Sequence, residues 1–399
     1  MDLHLTPEQR AIQDLARGVA DRYIRPRIQQ LDAEERFDRE IMQAMGDAGL
    51  LGVCLPEKYG GGGMDYVSLA LAALEIEKAD TAYREIISVH LGLTALAILQ
   101  WGSQPQKDRW LPPLAKGEKF AAFGLTEPAA GSDVAGMITT ARKDGNAYVL
   151  NGEKLWISLA DVADVFLVFA KTDPEGRHRG VSAFVLERGT PGLKTGSIPG
   201  KMGVRAGNTG SLVFQDCRVG EDQRIGEEGE GFRIAMAALD CGRLTVAAGA
   251  TGLIEACIDA SVAYAQQRQA FGHPIGEYQL VQQMIAKMVR DRDASYLLTM
   301  RAATLKNEGV RNTRETALAK WYASEAAWRA ATDAVQIHGA YGFSREFPVE
   351  RYLRNSKGAV IYEGTTQVQE IMQGEYALGL RRDGRLRREL PAWPFAQDV

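Results

Sequence analysis

Several short stretches of this 399-residue chain carry side chains whose types and spacing suit chemistry as well as packing. In VIYEGTTQVQ (360–369) an apolar run stops at a lone glutamate, Glu363, and glycine and two threonines follow before a helical pattern resumes. Such a carboxylate is either a solvated helix-terminal residue or a base in a dry pocket, where burial raises its pKa toward that of a weakly acidic proton donor. In DTAYREIISVHLGL (80–93), Asp80 or Thr81 reads as a helix cap, Arg84 falls in the first turn, and Ser88 lies on the same face four residues on. Arg84 and Ser88 are then either solvated or a two-donor anchor for a carboxylate, helped by the helix N-terminus. Glu85 follows Arg84 directly but points about 100° away around the helix, so it need not neutralise it.

FGLTEPAAGSD (123–133) is neither a GxGxxG turn nor a P-loop. Its free backbone N–H groups, with the hydroxyls of Thr126 and Ser132, suit a polar planar ring, a phosphate or a plain connecting loop. KLWIS (154–158) offers Trp156, as core or as a flat wall, and Ser158. RQAFG (268–272) carries Arg268, which suits a helix C-terminus or a bidentate pyrophosphate contact. QIHGAYGF then places Gln336 and Gly339 ahead of the Glu363 stretch.

The elements that must position these residues fall into three textures. Residues 1–118 show helical spacing, as in EIMQAMGDAGLLGV and SLALAALEIEKA, and predict four to six helices broken by the glycine run at 60–63. Thr6, Pro7 and Gln9 read as N-cap, first helical position and capping-box partner. Residues 119–230 switch to strand period. Residues 148–150, an Asn151-Gly152 turn and residues 154–158 read as a hairpin, with VFLVFAK, GVSAFVLER and SLVFQDCRV as further strands. Residues 231–399 return to helix, with long segments over 232 to about 268, 278 to about 307 and 313 to about 338. Asn312 with Glu315 reads as a cap and Gly339 as a stop. The expected fold is α+β: an N-terminal helical domain, a middle β domain and a C-terminal four-helix bundle.

Composition is that of an ordinary globular protein, 45% hydrophobic and 25% charged, and a net charge of −4 gives no pull toward nucleic acid or a membrane surface. Cys54, Cys217, Cys241 and Cys257 lack CxxC spacing and read as free thiols of a reducing compartment. The five histidines show no metal-ligand spacing. No signal segment opens the chain and no apolar run reads as long enough to cross a bilayer, so a cytoplasmic location is expected. The basic run RRDGRLRREL (381–390) reads as a solvated tail, with a contact to a partner's acidic surface as the alternative.

In their order and spacing these stretches resemble the signatures of the acyl-CoA dehydrogenase family, flavoproteins that desaturate acyl thioesters, over essentially the whole chain. The resemblance implies FAD as cofactor. It implies contacts to flavin and thioester from Phe123, Leu125, Thr126, Gly131 and Ser132, and a flavin wall of Trp156 and Ser158, with serine where many members have threonine. Arg268, Phe271 and Gln279 match positions reaching the adenosine-diphosphate half of a neighbouring subunit's FAD, so a homo-oligomer, a dimer of dimers, is implied. Gln336, Gly339, Thr365 and Gln367 match further FAD contacts, and Asp240 and Arg243 match residues near the CoA portion. Ala340 and Ala270 depart from a common glycine and a frequent threonine. Glu363 matches the catalytic base, whose own backbone N–H serves the oxyanion site.

The Tyr-Arg pair with Ser88 resembles the glutaryl-CoA dehydrogenase branch, in which the arginine holds the substrate's distal carboxylate; Arg84, Ser88, Ser132 and Tyr362 are the implied acyl-side contacts. Glutaryl-CoA is thus the expected substrate. Tyr362 tilts toward decarboxylation to crotonyl-CoA, and an electron-transfer flavoprotein is the expected acceptor. The alternatives are a short-chain fatty or cyclic-carboxyl acyl-CoA dehydrogenase, then an oxidase, which usually carries an extra C-terminal domain, or a non-catalytic flavoprotein, which would lose Glu363.

Overall fold

The predicted cap at Thr6 forms in the computed structural model, which describes residues 4–396: Thr6 accepts from Gln9 N, the Gln9 amide answers Thr6 N, and Pro7 opens the helix. The N-terminal part contains α1 (Pro7–Val19), α2 (Ile28–Glu34), α3 (Arg39–Asp47), α4 (Tyr66–Glu77), α5 (Thr81–Ile86), α6 (Leu96–Trp101) and α7 (Gln104–Ala115). A π-helical stretch, Ile87–Ala95, joins α5 to α6, so Thr81–Trp101 is one continuous helix. Every residue of α4 is buried, as an all-round apolar helix requires.

The middle part is an eight-stranded sheet of β1 (Ala121–Gly124), β2 (Thr140–Asp144), β3 (Ala147–Ser158), β4 (Val165–Lys171), β5 (Val181–Glu187), β6 (Leu193–Ser197), β7 (Thr209–Gly220) and β8 (Arg224–Ile225). The strand order is β6-β7-β3-β2-β4-β5-β8, with β1 lying parallel to β4. The C-terminal part comprises α8 (Gly231–Gln267), α9 (Gln279–Asn307), α10 (Thr313–His338), α11 (Val349–Ala359) and α12 (Thr366–Ala377). The fold is α+β, and the three long helices start and stop where the apolar period predicts. The first half of α8 belongs to a core shared with the N-terminal helices and the sheet, and its second half to the core of the bundle, so this one helix ties both together.

Four expectations need correction, and one open alternative is closed. Asn151-Gly152 is no hairpin turn. It lies inside β3, where the register against β7 slips between Leu150 and Gly152, and Asn151 bonds Asp216 across the bulge at 2.9 and 3.1 Å. The hairpin turn joins β2 to β3 at Gly145, six residues earlier than read. Asn312 stands at the N-cap of α10, but its side chain turns away and donates to Ala302 O at 2.6 Å. Among the described residues two helices are long and apolar enough to cross a membrane, Thr81–Trp101 and Gly231–Gln267, with mean hydropathies of 1.3 and 1.4; their most apolar windows are 100% and 67% buried inside the protein. Periodicity alone hid them, because both are interrupted by polar residues that the site uses.

The basic run at 381–390 is no free tail. Arg387 pairs with Glu230 at 2.6 Å, and Arg388 donates to Trp101 O and Gly102 O at the C-terminus of α6, where a cation satisfies orphan carbonyls. Nor is Arg84 solvated: it is 2% exposed.

One buried pair closes the irregular loop after β1. Lys154 Nζ donates to Glu127 at 2.7 Å and to Leu125 O at 3.2 Å, and Glu127 accepts from Ile138 N and Thr139 N at 2.6 and 3.1 Å. Glu127→Ala would leave the lysine buried and unpaired. We expect a loss of about 3–5 kcal/mol in urea unfolding, most of it recovered in the double variant Glu127→Gln/Lys154→Met. An Ala variant as stable as the parent would show the pair to be dispensable.

Candidate active site

Glu363 sits in the turn between α11 and α12, and the turn is strained by design. Glu363 and Gly364 both take left-handed backbone, φ 54° and 92°, and Thr365 caps α12 by accepting from Val368 N. Donors from three helices hold the turn's carbonyls. Arg243 Nε of α8 and Gln369 Nε2 of α12 reach Glu363 O at 3.3 and 3.4 Å; Gln369 also reaches Gly364 O at 3.1 Å, and Lys320 Nζ of α10 reaches it at 2.7 Å. The Glu363 N–H meets no acceptor among the described residues, and its shielded Oε2 has no hydrogen-bond partner.

The carboxylate rests on α8 at Gly242, where a Cβ would come within 2.1 Å of Oε2, so any larger residue there would displace the carboxylate. Burial pushes the Glu363 carboxyl up to about 7, against the opposing pull of Arg84, Lys320 and Arg243.

Next to it, Arg84 donates through Nε to Glu77 at 2.6 Å, through one terminal nitrogen to Ser88 Oγ at 2.8 Å and through the other to the Tyr362 hydroxyl at 2.6 Å. Ser88 in turn meets Thr245 Oγ1 of α8 at 2.6 Å, and Thr81 bonds Glu77. The pair lies against Gly249, where a Cβ would come within 2.7 Å of Arg84 Nε. A guanidinium has five N–H donors. Three are engaged here, leaving one on each terminal nitrogen. The Tyr362 oxygen accepts from Arg84, so its own proton remains to be given. Burial raises the phenol above its ordinary range and keeps it neutral.

The structure thus brings Glu363, Arg84, Ser88, Tyr362, Asp240 and Arg243 together. Arg243 pairs with Asp240 at 3.2 Å, and Asp240 accepts from Thr313 at 2.6 Å, so this couple also braces the Glu363 turn.

On the sheet side, Trp156 is the bulged residue between Leu155 and Ile157, at φ 61°, and is 58% exposed, so it is not core. Ser158 donates to Glu85 at 3.3 Å. Burial pushes the Glu85 carboxyl to about 7 as well, against Lys201 and Arg84. Phe123 and Leu125 are buried, Thr126 is half-buried, and Gly131 and Ser132 are exposed.

A third group lies apart. Arg268 ends α8 beside the Tyr341 ring, Phe271 is 95% exposed, and Gln279 opens α9. Gln336 and Gly339 end α10, and Gln367 is exposed on α12. Among the described residues no hydrogen bond or ion pair links Arg268, Phe271 or Gln279 to Glu363.

Glu77, Thr245, Gly242, Gln369 and Lys320 escaped the sequence reading. One signal was available: Lys320 interrupts a stripe of small residues, Thr316, Ala319, Ala323 and Ala327, on an otherwise packed helix face.

Comparison with known proteins gives a consistent setting. Family models described as acyl-CoA dehydrogenase N-terminal, middle and C-terminal domains match residues 6–118, 122–217 and 229–377. The chain is similar to a chain in the structure of the electron transferring flavoprotein of Acidaminococcus fermentans (42% identity, TM-score 0.93, 96% of this chain and 100% of that one). It is similar to butyryl-CoA dehydrogenase from Megasphaera elsdenii (40%, TM-score 0.93, 95% and 100%) and to a glutaryl-coenzyme A dehydrogenase in complex with glutaryl-CoA (38%, TM-score 0.94, 96% and 99%).

The raised carboxyl has a thermodynamic signature. Glu363 titrates near 4.5 when unfolded and at about 7 when folded. Between those values the unfolded chain has released a proton that the folded chain still holds. Glu363 therefore lowers stability progressively as pH rises through that window, and by a constant amount above it. Glu363→Gln should be no more stable than the parent near pH 4.5 and about 1–3 kcal/mol more stable near pH 8, read by urea unfolding. A pH-independent difference would show the carboxyl to be unperturbed.

Proposed function

This chain belongs to the acyl-CoA dehydrogenase family, and we propose that Glu363 is its catalytic base, that FAD is its cofactor, and that glutaryl-CoA is its substrate. The observation that carries the reading is the Glu363 carboxylate: half-buried, with its Oε2 shielded and unpartnered, and tuned to about 7, next to a free backbone N–H. An exposed indole on a bulged strand beside the Ser158 hydroxyl fits a planar ring that is polar at one edge. Phe123, Leu125, Thr126, Gly131, Ser132, Trp156 and Ser158 would hold the ring. FAD, once bound, supplies the acceptor for the β-hydride.

The chain's own groups do the rest. Glu363 takes the α-proton of the thioester, and its N–H stabilises the charge that develops on the carbonyl oxygen. The C–H electron pair becomes the new double bond as the β-hydride leaves.

The two unengaged N–H groups of Arg84, one on each terminal nitrogen, support a substrate with a distal carboxylate, since a guanidinium takes a carboxylate through two donors. Glu77 favours a second reading, a short-chain acyl substrate, because it already neutralises Arg84. Overall similarity to the butyryl and glutaryl enzymes is nearly equal, so the choice rests on this pocket. Tyr362, neutral and with a proton to give, supports decarboxylation to crotonyl-CoA as a second step, the protonated Glu363 then returning its proton to the dienolate.

Purified holoenzyme should turn over glutaryl-CoA in preference to butyryl-CoA with an artificial acceptor, and Glu363→Gln should lose far more than tenfold. Arg84→Ala would strand Glu77, so the cleaner probe is Glu77→Gln with Arg84→Gln. It should cut glutaryl-CoA turnover about thirty- to several-thousand-fold while sparing butyryl-CoA. A parent that prefers butyryl-CoA, or equal losses on both substrates, would overturn the carboxylate anchor. Crotonyl-CoA against glutaconyl-CoA among the products decides the decarboxylation.

We also propose that a second copy completes the FAD site through Arg268, Phe271 and Gln279. Phe271, Leu280 and Phe343 are exposed near the end of the bundle where Arg268 meets Tyr341, which supports a dimer or a dimer of dimers. An electron-transfer flavoprotein is the proposed acceptor, with support from the Acidaminococcus similarity. Sedimentation should show an oligomer; a monomer with full flavin occupancy would refute the shared site.

A further inference from the structure

Lys320 is 0% exposed, and its one hydrogen bond goes to a carbonyl, Gly364 O at 2.7 Å. No carboxylate lies within ion-pair distance of it among the described residues. Burying an ammonium without a partner ion is expensive, and methionine, of similar length, would fill the same space without that cost. The fold therefore has no need of the charge. What the charge faces is the Glu363–Gly364 turn.

That turn holds a non-glycine residue at φ 54°, a conformation that costs about 1–3 kcal/mol and persists only where its surroundings impose it. Of the four bonds to the turn's two carbonyls, that of Lys320 is the shortest. Three cations face the carboxylate: Arg84 from α5, Arg243 from α8 and Lys320 from α10. Arg84 is paired with Glu77, and Arg243 with Asp240. Lys320 has no carboxylate of its own, so its field on Glu363 is the least cancelled.

We propose that Lys320 is a positioning residue for Glu363: its bond to Gly364 O locks the left-handed turn that aims the carboxylate, and its charge keeps that carboxylate in the proton-accepting form. The inference rests on Glu363 being the base. Burial pulls the Lys320 amine down to about 7 while Glu363 holds it up, so the two groups share a titration range and support each other's charge.

Lys320→Met and Lys320→Gln holoenzymes separate the two roles, since Gln keeps an N–H donor without the charge. In Lys320→Met, kcat should fall about ten- to a hundredfold with KM and melting temperature near those of the parent. The acid limb of its kcat/KM profile should move up by about one pH unit. In Lys320→Gln, part of kcat should return while the limb stays shifted. A parent-like kcat and acid limb in Lys320→Met overturns the proposal. If that variant loses flavin or melts early, an unshifted limb in Lys320→Gln overturns it instead. Glu363→Gln keeps the two ideas distinguishable: an active Glu363→Gln refutes the base itself, whereas an inactive one beside a parent-like Lys320→Met refutes only the lysine's role.

Discussion

A half-buried carboxylate beside three cations, one oxygen shielded and without an ion pair to any of them, is the constraint on which the rest of this molecule depends. Any one of those cations at full strength and hydrogen-bonding distance would return Glu363 to the ordinary carboxylate range. Instead, the two arginines are occupied by acids of their own, Glu77 and Asp240, and are turned toward backbone, hydroxyls or phenol. The arrangement needs helices on several sides at close range, and α8 supplies the closeness with glycine at 242 and 249. It also needs a turn that points the side chain inward, and that turn is held by donors from three helices.

The same logic explains why the N-terminal helices are so thoroughly buried. Arg84 and Ser88 are polar groups in a helix otherwise apolar enough to cross a membrane, Glu77 ends the fully buried α4 before it, and each is satisfied by another within the cluster. A polar network of this kind tolerates no missing member, since each loss strands a charge. On the sheet side the organisation differs. Glu127 and Lys154 pin the loop that carries Thr126 and Ser132, while Trp156 is pushed outward by a bulge and left exposed.

Much of this was legible in the sequence, and the limits are physical. The long helices followed from period and capping residues because those signals are local. The pairing of Arg84 with Ser88 followed from helical spacing, whereas the apolar run before Glu363 left a solvated carboxylate and a buried base both open, and only the family resemblance chose between them. Glu77 was not legible, because a helix break at Ala79 and Asp80 separates it from Arg84, and helical spacing carries no information across a break. Lys320 lies 43 positions before Glu363, so only packing brings it there. Asn151-Gly152 misled because asparagine and glycine serve bulges as well as turns; the choice was made by Asp216 on the neighbouring strand, 65 residues away.

The C-terminal clasp has a consequence for how the chain is made. Asp65 and Tyr66, at the start of α4, take their partners from far downstream: Asn307 donates to Asp65 and accepts from Tyr66 N at 2.8 Å, and the Tyr66 hydroxyl donates to Pro391 O. Arg388 likewise closes the end of α6 from 287 positions away. A ribosome adding about 5–20 residues per second needs on the order of 10–50 s to make the 241 residues between Tyr66 and Asn307. Until residue 267 is made the apolar N-terminal helices lack the covering helix α8, and the end of α6 stays open until Arg388 follows. They emerge with apolar surface still uncovered, and Arg388 and Pro391, near the end of the described residues, complete their enclosure.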